Sequence, residues 1–320
     1  MLSIVAPAYN EAEGLAAFVE RVTDVLESLD DDWELVLVDD GSTDRTWDVV
    51  RAAADADDRI RGIRLSRNFG HQLALSAGLA AAAGDGVITM DSDLQHPPDV
   101  IPQLVAEARA GNDVVFAVRS AADTASFWKR MSARAFYWLL NRLAPLELPE
   151  GAADFRYMSR RVVDVLVAMP ERHRFLRGLA RWAGYRQSFV EYDRAERGAG
   201  ETKYSPRRMI LFAWDAVVSF SSFPLRLATV IGAAVSLLGW LYLVYVLAVR
   251  VFTNHAIAGW TSVTAAVLVL GGAQLIFLGV IGQYIGRMYD DVKRRPLFLV
   301  AEDTREMERA GQPAHLRGNA

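Results

Sequence analysis

Residues Val87 to Val100 read "VITMDSDLQHPPDV", and the switch from apolar to acidic inside that stretch decides the fold. Val87–Met90 is a short apolar run bounded by turn signals, the pattern of a strand buried on both faces. Two carboxylates one residue apart follow, Asp91 and Asp93. In an extended segment residues i and i+2 point the same way, so the pair can converge on one cation at the strand's mouth. Hard oxygen ligands of this type suit Mg²⁺ or Mn²⁺. An isolated D-x-D is more often a solvated turn; at the end of an apolar strand in an α/β pattern it reads as a site. Pro97 and Pro98 turn the chain into the next helix, and His96 beside them reads as a turn residue with no chemistry assigned.

Outward from this stretch the first 120 residues alternate between two periodicities. "LSIVAPAY", "WELVLVDDGS", "IRGIRLS", "GVITMDSD" and "DVVFAVRS" are short apolar strands. Between them lie helices, the first with Leu15, Phe18, Val19, Val22, Val25, Leu26 and Leu29 on one face. Strict alternation predicts a doubly wound, mostly parallel sheet with helices on both faces. Ligands in such folds sit at the carboxyl ends of the strands. Those ends are Pro7 to Glu11, Asp39 to Asp44, Ser66 to Phe69 and Asp91 to Gln95, with Arg119 after the last. Asp39 and Asp40 lead into "GSTD", where a carboxylate can accept from a ribose hydroxyl or a base N–H, while Ser42, Thr43 and Asp44 read as turn and cap residues. His71 reads as a support for the loop after the third strand. No G-x-G-x-x-G follows the first strand, which sets aside a dinucleotide enzyme.

Composition bounds the rest. The chain has 320 residues, 52% of them apolar, and a formal net charge of -4, enough for a sizeable core and without the basic balance of a nucleic-acid binder. It has no cysteine, which excludes disulfides and thiolate chemistry. "MLSIVAPAYNEAEG" lacks the basic start of a signal peptide. Leu227 to Val249 and Ala256 to Gly286 carry no charge, and each offers the roughly 20 apolar residues a membrane-spanning helix needs. Arg207, Arg208 and Arg226 precede the first stretch and Arg287, Lys293, Arg294 and Arg295 follow the second; the positive-inside rule puts both ends in the cytoplasm. "SPRRMILFAWDAVVSFSSFPL" reads as a helix lying on a membrane surface.

Seven stretches together carry a resemblance: "SIVAPAYNEAEG", "LVLVDDGSTDRT", "RLSRNFGHQLALSAGL", "TMDSDLQHPPDVIPQLV", "GAADFRYMSRRVVD", "RAERGAGETKYSPRRM" and "IGQYIGRMYDDVKRRPLFLV". In this order they resemble a family 2 glycosyltransferase of the polyisoprenyl-phosphate type. The likeness is to the bacterial branch that makes undecaprenyl-phosphate glucose and, more distantly, to dolichol-phosphate mannose synthase. It runs to Val300; the tail from Ala301 reads as uninformative. The resemblance implies a GT-A type, Rossmann-like catalytic domain followed by two transmembrane helices, a nucleotide-sugar donor, a divalent cation, Mg²⁺ or Mn²⁺, and a polyprenyl-phosphate acceptor. It implies that Pro7, Tyr9, Glu11 and Asp39 or Asp40 hold the nucleoside, and that Asp91, Asp93 and Gln95 surround metal and donor. Asp154 of "GAADFR" falls in the position regarded as catalytic, beside the metal-side Asp93. Arg194, Arg197, Thr202 and Lys203 match a loop that contacts phosphate, and Arg119, Arg130 and Ser132 are candidates for the acceptor phosphate. A homo-oligomer, a tetramer, is implied as well.

The expected organisation is a cytoplasmic glycosyltransferase domain over residues 1–205, an interfacial helix over 206–224, a two-helix transmembrane hairpin over 225–290 and a cytoplasmic tail over 291–320, at the inner membrane. The expected reaction is inverting transfer of a hexose, glucose from UDP-glucose, to undecaprenyl phosphate. A phosphate acceptor, with a second pKa near ~6, is largely ionised at neutral pH, so Asp154 has less need to act as a base than to orient. The rivals are a mannose synthase using GDP-mannose and a non-catalytic membrane scaffold that binds nucleotide sugar. "GLARW" lacks the Gln of the Q-x-x-R-W motif of processive synthases, which argues for a single transfer. Asp154 also has Arg156 and Arg160 as possible salt-bridge partners.

Overall fold

The computed structural model describes residues 1–119, 152–172, 174–192, 223–253 and 260–306. In chain order the first unit holds β1 (Leu2–Ala8), α1 (Leu15–Glu27), β2 (Trp33–Asp39), α2 (Thr46–Ala56), β3 (Ile60–Leu65), α3 (His71–Ala81), β4 (Gly86–Thr89), α4 (Ile101–Arg109) and β5 (Val114–Arg119). It continues through β6 (Ala152–Ser159), α5 (Arg160–Ala168), α6 (Leu176–Trp182) and β7 (Gln187–Tyr192). These strands and one more, β8 (Val300–Asp303), form an eight-stranded sheet in the order β7-β5-β6-β4-β1-β2-β3-β8.

The parallel centre follows from sequence. Every residue of β1 and β2 is buried, as strands covered on both faces require. In α1, Leu15, Phe18, Val22 and Leu26 are buried, the 3-4-4 spacing of one helical stripe, and Val19, Val25 and Leu29 pack partly against the same core. Helix α3 comes so close to β1 that a Cβ on Gly78 would lie 2.2 Å from Val5 Cγ1.

Two strands depart from strict alternation. β5 does not pair with β4; β6 lies between them, antiparallel to both. Phe155, Arg156 and Met158 are fully buried there, because a strand in the middle of a covered sheet has no solvent face. The second departure is β8, which takes the outer edge of β3 in antiparallel pairing. The stretch from Ala301 is therefore not idle. Asp303 pairs with Arg61 at 2.6 Å, Glu302 with Arg64 at 2.9 Å, and Thr304 Oγ1 accepts the Gly62 N–H at 3.0 Å. Arg305 reaches the buried carboxylate of Glu34 at 3.0 Å. These ion pairs and backbone bonds cover an edge that would otherwise expose unpaired backbone.

A second unit contains two long helices, α7 (Phe223–Thr253, 31 residues) and α8 (Trp260–Val292, 33 residues). Counted over the described residues alone, no helix is long and apolar enough to cross a membrane.

Candidate active site

The carboxyl edge of β1, β2 and β4 gathers the acidic residues. β6 adds to it because an antiparallel strand enters the sheet where its neighbours leave. Thr89 of β4 pairs with Arg156 of β6; continuing that register by two residues sets Asp91 across from Asp154. His71, the first residue of α3, spans the pair, with Nε2 3.4 Å from Asp91 Oδ1 and 3.5 Å from Asp154 Oδ2. His71 is thus part of the site itself, a correction to its reading as loop support.

Asp154 is filled with donors. Arg156 Nη2 donates to Oδ1 at 2.6 Å, while Gln72 Nε2 at 3.0 Å and Arg177 Nη2 at 3.2 Å donate to Oδ2. Burial alone would raise its pKa, but the His71 contact and the charges of Arg156 and Arg177 outweigh that and hold it well below the usual carboxylate range. The expected Arg156 partnership is present. Arg160 instead donates to the backbone carbonyls of Ala82 and Gly84. Neither Gln72 nor Arg177 was singled out from sequence.

Asp91 has the opposite environment. Burial, joined by the negative charges of Asp154 and Asp93, outweighs His71 and Arg177 and pushes its pKa up to about 6. Its Oδ1 is buried with no hydrogen-bond partner. The Asp91 N–H donates to Nδ1 of His96 at 3.1 Å; His96 is fully buried and stacked on Phe155 with ring centroids 5.3 Å apart. His96 therefore fixes the backbone of the acidic turn. Asp93 is exposed, and its Oδ1 accepts the Gln95 N–H at 3.0 Å. Glu11 is pushed up by burial and then by the charges of Asp93 and Asp44, so the mouth of the site is acidic.

Asp39 and Asp40 separate. Asp40 accepts the Phe69 and Gly70 N–H groups at 2.7 and 2.9 Å and so clasps the loop between β3 and α3. Asp39 accepts the Ser42 N–H on Oδ1 at 2.9 Å; its Oδ2 has no hydrogen-bond partner, with Arg64 Nε 3.5 Å away. Pro7 offers its carbonyl to Ser92 Oγ at 2.8 Å, and Tyr9 stands exposed just beyond β1. Ser42 accepts the Asn10 N–H and Asp44 accepts from Thr46 as turn residues do, but the residue that precedes α2 is Arg45, so none of Ser42, Thr43 and Asp44 caps that helix, a correction to their reading as caps. Arg119 closes β5 opposite Tyr192. Arg130, Ser132, Arg194, Arg197, Thr202 and Lys203 lie outside the described residues.

Among the described residues no three His, Asp or Glu side chains are grouped to hold a metal ion by themselves. A hard divalent cation does not need that. It takes one or two carboxylates and completes its shell with water and substrate phosphate, and Oδ1 of Asp91, which makes no hydrogen bond and has only His71 Nε2 near it at 3.4 Å, fits such a ligand.

Residues 3–167, just over half of the chain, match the family model for glycosyl transferase family 2. The chain belongs to that family. With its mostly parallel α/β sheet it has the GT-A type of fold, and residues 223–288 match the model for the GtrB C-terminal hairpin. An uncharacterized glycosyltransferase of Bacillus subtilis, YkcC, is 41% identical over 93% of this chain and 92% of its own. The prophage bactoprenol glucosyl transferase homolog of Escherichia coli is 39% identical over 93% and 98%. The bactoprenol glucosyl transferase of Shigella phage SfII is 39% identical over 95% and 98%.

Proposed function

We propose that this family 2 glycosyltransferase transfers glucose from UDP-glucose to undecaprenyl or another polyprenyl phosphate, with inversion, at the cytoplasmic face of the inner membrane. The observation that carries the reading is near full-length similarity to bactoprenol glucosyl transferases at 39% identity, in a chain whose strand edge brings Asp91 and Asp154 to opposite sides of His71. Membrane anchoring is supported by the uncharged stretches 227–249 and 256–286 and by the hairpin match over 223–288. Helices of 31 and 33 residues are about 46 and 50 Å long at 1.5 Å per residue, more than the ~30 Å hydrocarbon core. Leu237, Leu238 and Leu241 are exposed on the first, as a lipid-facing helix would have them.

In this reading Asp91 and Asp93 hold the divalent cation, with Gln95 beside them, and the cation supplies charge stabilisation to the departing nucleotide diphosphate. Asp39 takes the nucleoside through Oδ2, the oxygen that makes no hydrogen bond within the chain, with Tyr9 and Pro7 at the same edge. Asp154, its oxygens already occupied by donors, holds guanidinium groups in place rather than removing a proton. An ionised acceptor phosphate needs no strong base to attack the sugar carbon from the face opposite the leaving group.

The test is incubation of the purified full-length protein with undecaprenyl phosphate and a panel of UDP- and GDP-sugars, with Mg²⁺, with Mn²⁺ and with EDTA. Labelled lipid-linked glucose formed only from UDP-glucose and only with metal is the expected result. Transfer solely from GDP-mannose would make the chain a mannose synthase. No transfer from any donor would leave a scaffold.

A further inference from the structure

Three side chains converge on Asp154 from outside its own strand: His71 and Gln72 from the start of α3 and Arg177 from the start of α6. Gln72 does two things at once. Its Nε2 donates to Asp154 Oδ2, and its Oε1 accepts the N–H of Leu176, both at 3.0 Å. The amide thus pins the first residue of α6 to the catalytic edge, and Arg177 is the next residue. Arg177 contacts Asp154 through Nη2 only. Its Nε is buried without a hydrogen-bond partner, its guanidinium stacks over Phe175 with 5.6 Å to the ring centroid, and its side chain is 22% exposed. Arg156, wholly buried on the other side of Asp154, also keeps one nitrogen, Nη1, without a partner.

The charge count points the same way. Asp154 and Asp91 face two guanidinium groups and the imidazole they share, so the carboxylate charge at this edge is already matched by cations. A carboxylate offers about four lone-pair sites, and Asp154 receives three hydrogen bonds with His71 at 3.5 Å as a fourth neighbour. Little acceptor capacity remains, whereas donor capacity on the arginines does. An arginine presented sideways by a carboxylate, its side chain partly exposed and engaged through Nη2 alone, is suited to an oxyanion.

We infer that Arg177, presented by Asp154 and locked by the Gln72 staple, is a phosphate-binding residue of this site, taking a phosphate oxygen of one of the two substrates. The inference rests on the proposed polyprenyl-phosphate reading only in naming those substrates. Asp154 is then a positioning residue for Arg177, and its like charge does not repel the phosphate because the arginines lie around it.

Binding separates the inference from turnover. Affinities of a short-chain polyprenyl phosphate, of the matching uncharged polyprenol and of UDP with Mn²⁺ are measured on the full chain in detergent, for the parent, Arg177→Ala and Arg177→Lys. Loss of one charge-assisted contact weakens the phosphate ligand by about 10- to 100-fold in Arg177→Ala, leaves the polyprenol unchanged, and is partly restored in Arg177→Lys. A loss confined to polyprenyl phosphate assigns Arg177 to the acceptor; a loss confined to UDP assigns it to the donor diphosphate. Changes below about twofold for both ligands, with the thermal melt unchanged, would overturn the inference. So would an equal loss for polyprenol, which marks a packing defect. If the parent binds polyprenyl phosphate yet forms no lipid-linked sugar, the functional reading fails while the result for Arg177 stands.

Discussion

Asp154→Ala removes the carboxylate that lies between two arginines, and its cost can be worked from their burial. Arg156 is fully buried, 2.6 Å from Asp154 Oδ1. Its other side-chain hydrogen bond is a long one, Nε to Thr89 Oγ1 at 3.4 Å. Without Asp154 a charged guanidinium stays in the middle of the sheet with no counter-charge, and breaking a buried pair from one side costs about 3–5 kcal/mol. Arg177 is partly solvated and adds less. In a domain of 150–250 residues each kcal/mol moves the melting point by about 2–4 °C, so Asp154→Ala lowers it by about 6–20 °C. The assay is thermal unfolding of the full-length protein in detergent at one scan rate, followed by circular dichroism. A second variant isolates the cause: Asp154→Leu with Arg156→Met replaces the pair by apolar volume and regains most of the loss. Asp93→Ala, at an exposed position, is the control and melts with the parent while losing transfer. A shift under about 1 kcal/mol for Asp154→Ala, or a double variant no better than the single one, refutes the reasoning.

Gly41 has φ +67°, and a Cβ there would lie 2.3 Å from the carbonyl carbon of Arg67. Gly41→Ala accordingly loses about 1–3 kcal/mol to backbone strain alone, read as a lower urea midpoint. Glu34 is raised by burial, but the Ala83 N–H, the Ser3 hydroxyl and Arg305 outweigh that and depress its pKa. Its stabilising contribution is therefore complete above the ordinary value of 4.5 and is lost as pH falls through the lower, folded value; Glu34→Gln flattens that acid limb in urea titrations from pH 6 to pH 3. Asp40→Asn turns an amide toward two N–H donors and lowers the melting point, whereas Asp39→Asn weakens UDP binding in calorimetry with a smaller effect on melting. The reverse ranking would remove the nucleoside role from Asp39.

The elements from β1 to β5 were legible because each is a short apolar run or a clear helical stripe. The three strands after them, β6, β7 and β8, were not. β6 carries Asp154 and Arg156 in an apolar setting, and only the site at its start reveals that it enters the sheet from the opposite direction. β8 is four residues long with two acids among them. What holds it is Arg61, 242 positions earlier, a distance over which no local pattern speaks. The hydrophobic rule failed there because the edge is held by ion pairs and backbone bonds.

The site was legible in its acids and, Arg156 apart, not in its donors. Asp39 and Asp40 are neighbours of one chemical type, as are Asp91 and Asp154 across the β4–β6 register. Their roles divide according to the donors each oxygen has already met: two backbone N–H groups for Asp40, two arginines and an amide for Asp154, and no hydrogen bond at all for Asp39 Oδ2 and Asp91 Oδ1. Arg156 comes from β6 itself, two residues from Asp154; the other donors come from the start of α3, the start of α6 and the loop after β3, which the fold alone brings together. A signal for Gln72 and Arg177 did exist: each is a long polar side chain in the first turn of a helix whose next residues, Ala74 and Leu75 or Leu179 and Ala180, are buried. A polar group so placed must find a partner at the strand edge or face a ligand there, and in this molecule Gln72 does the first and Arg177 is placed for both.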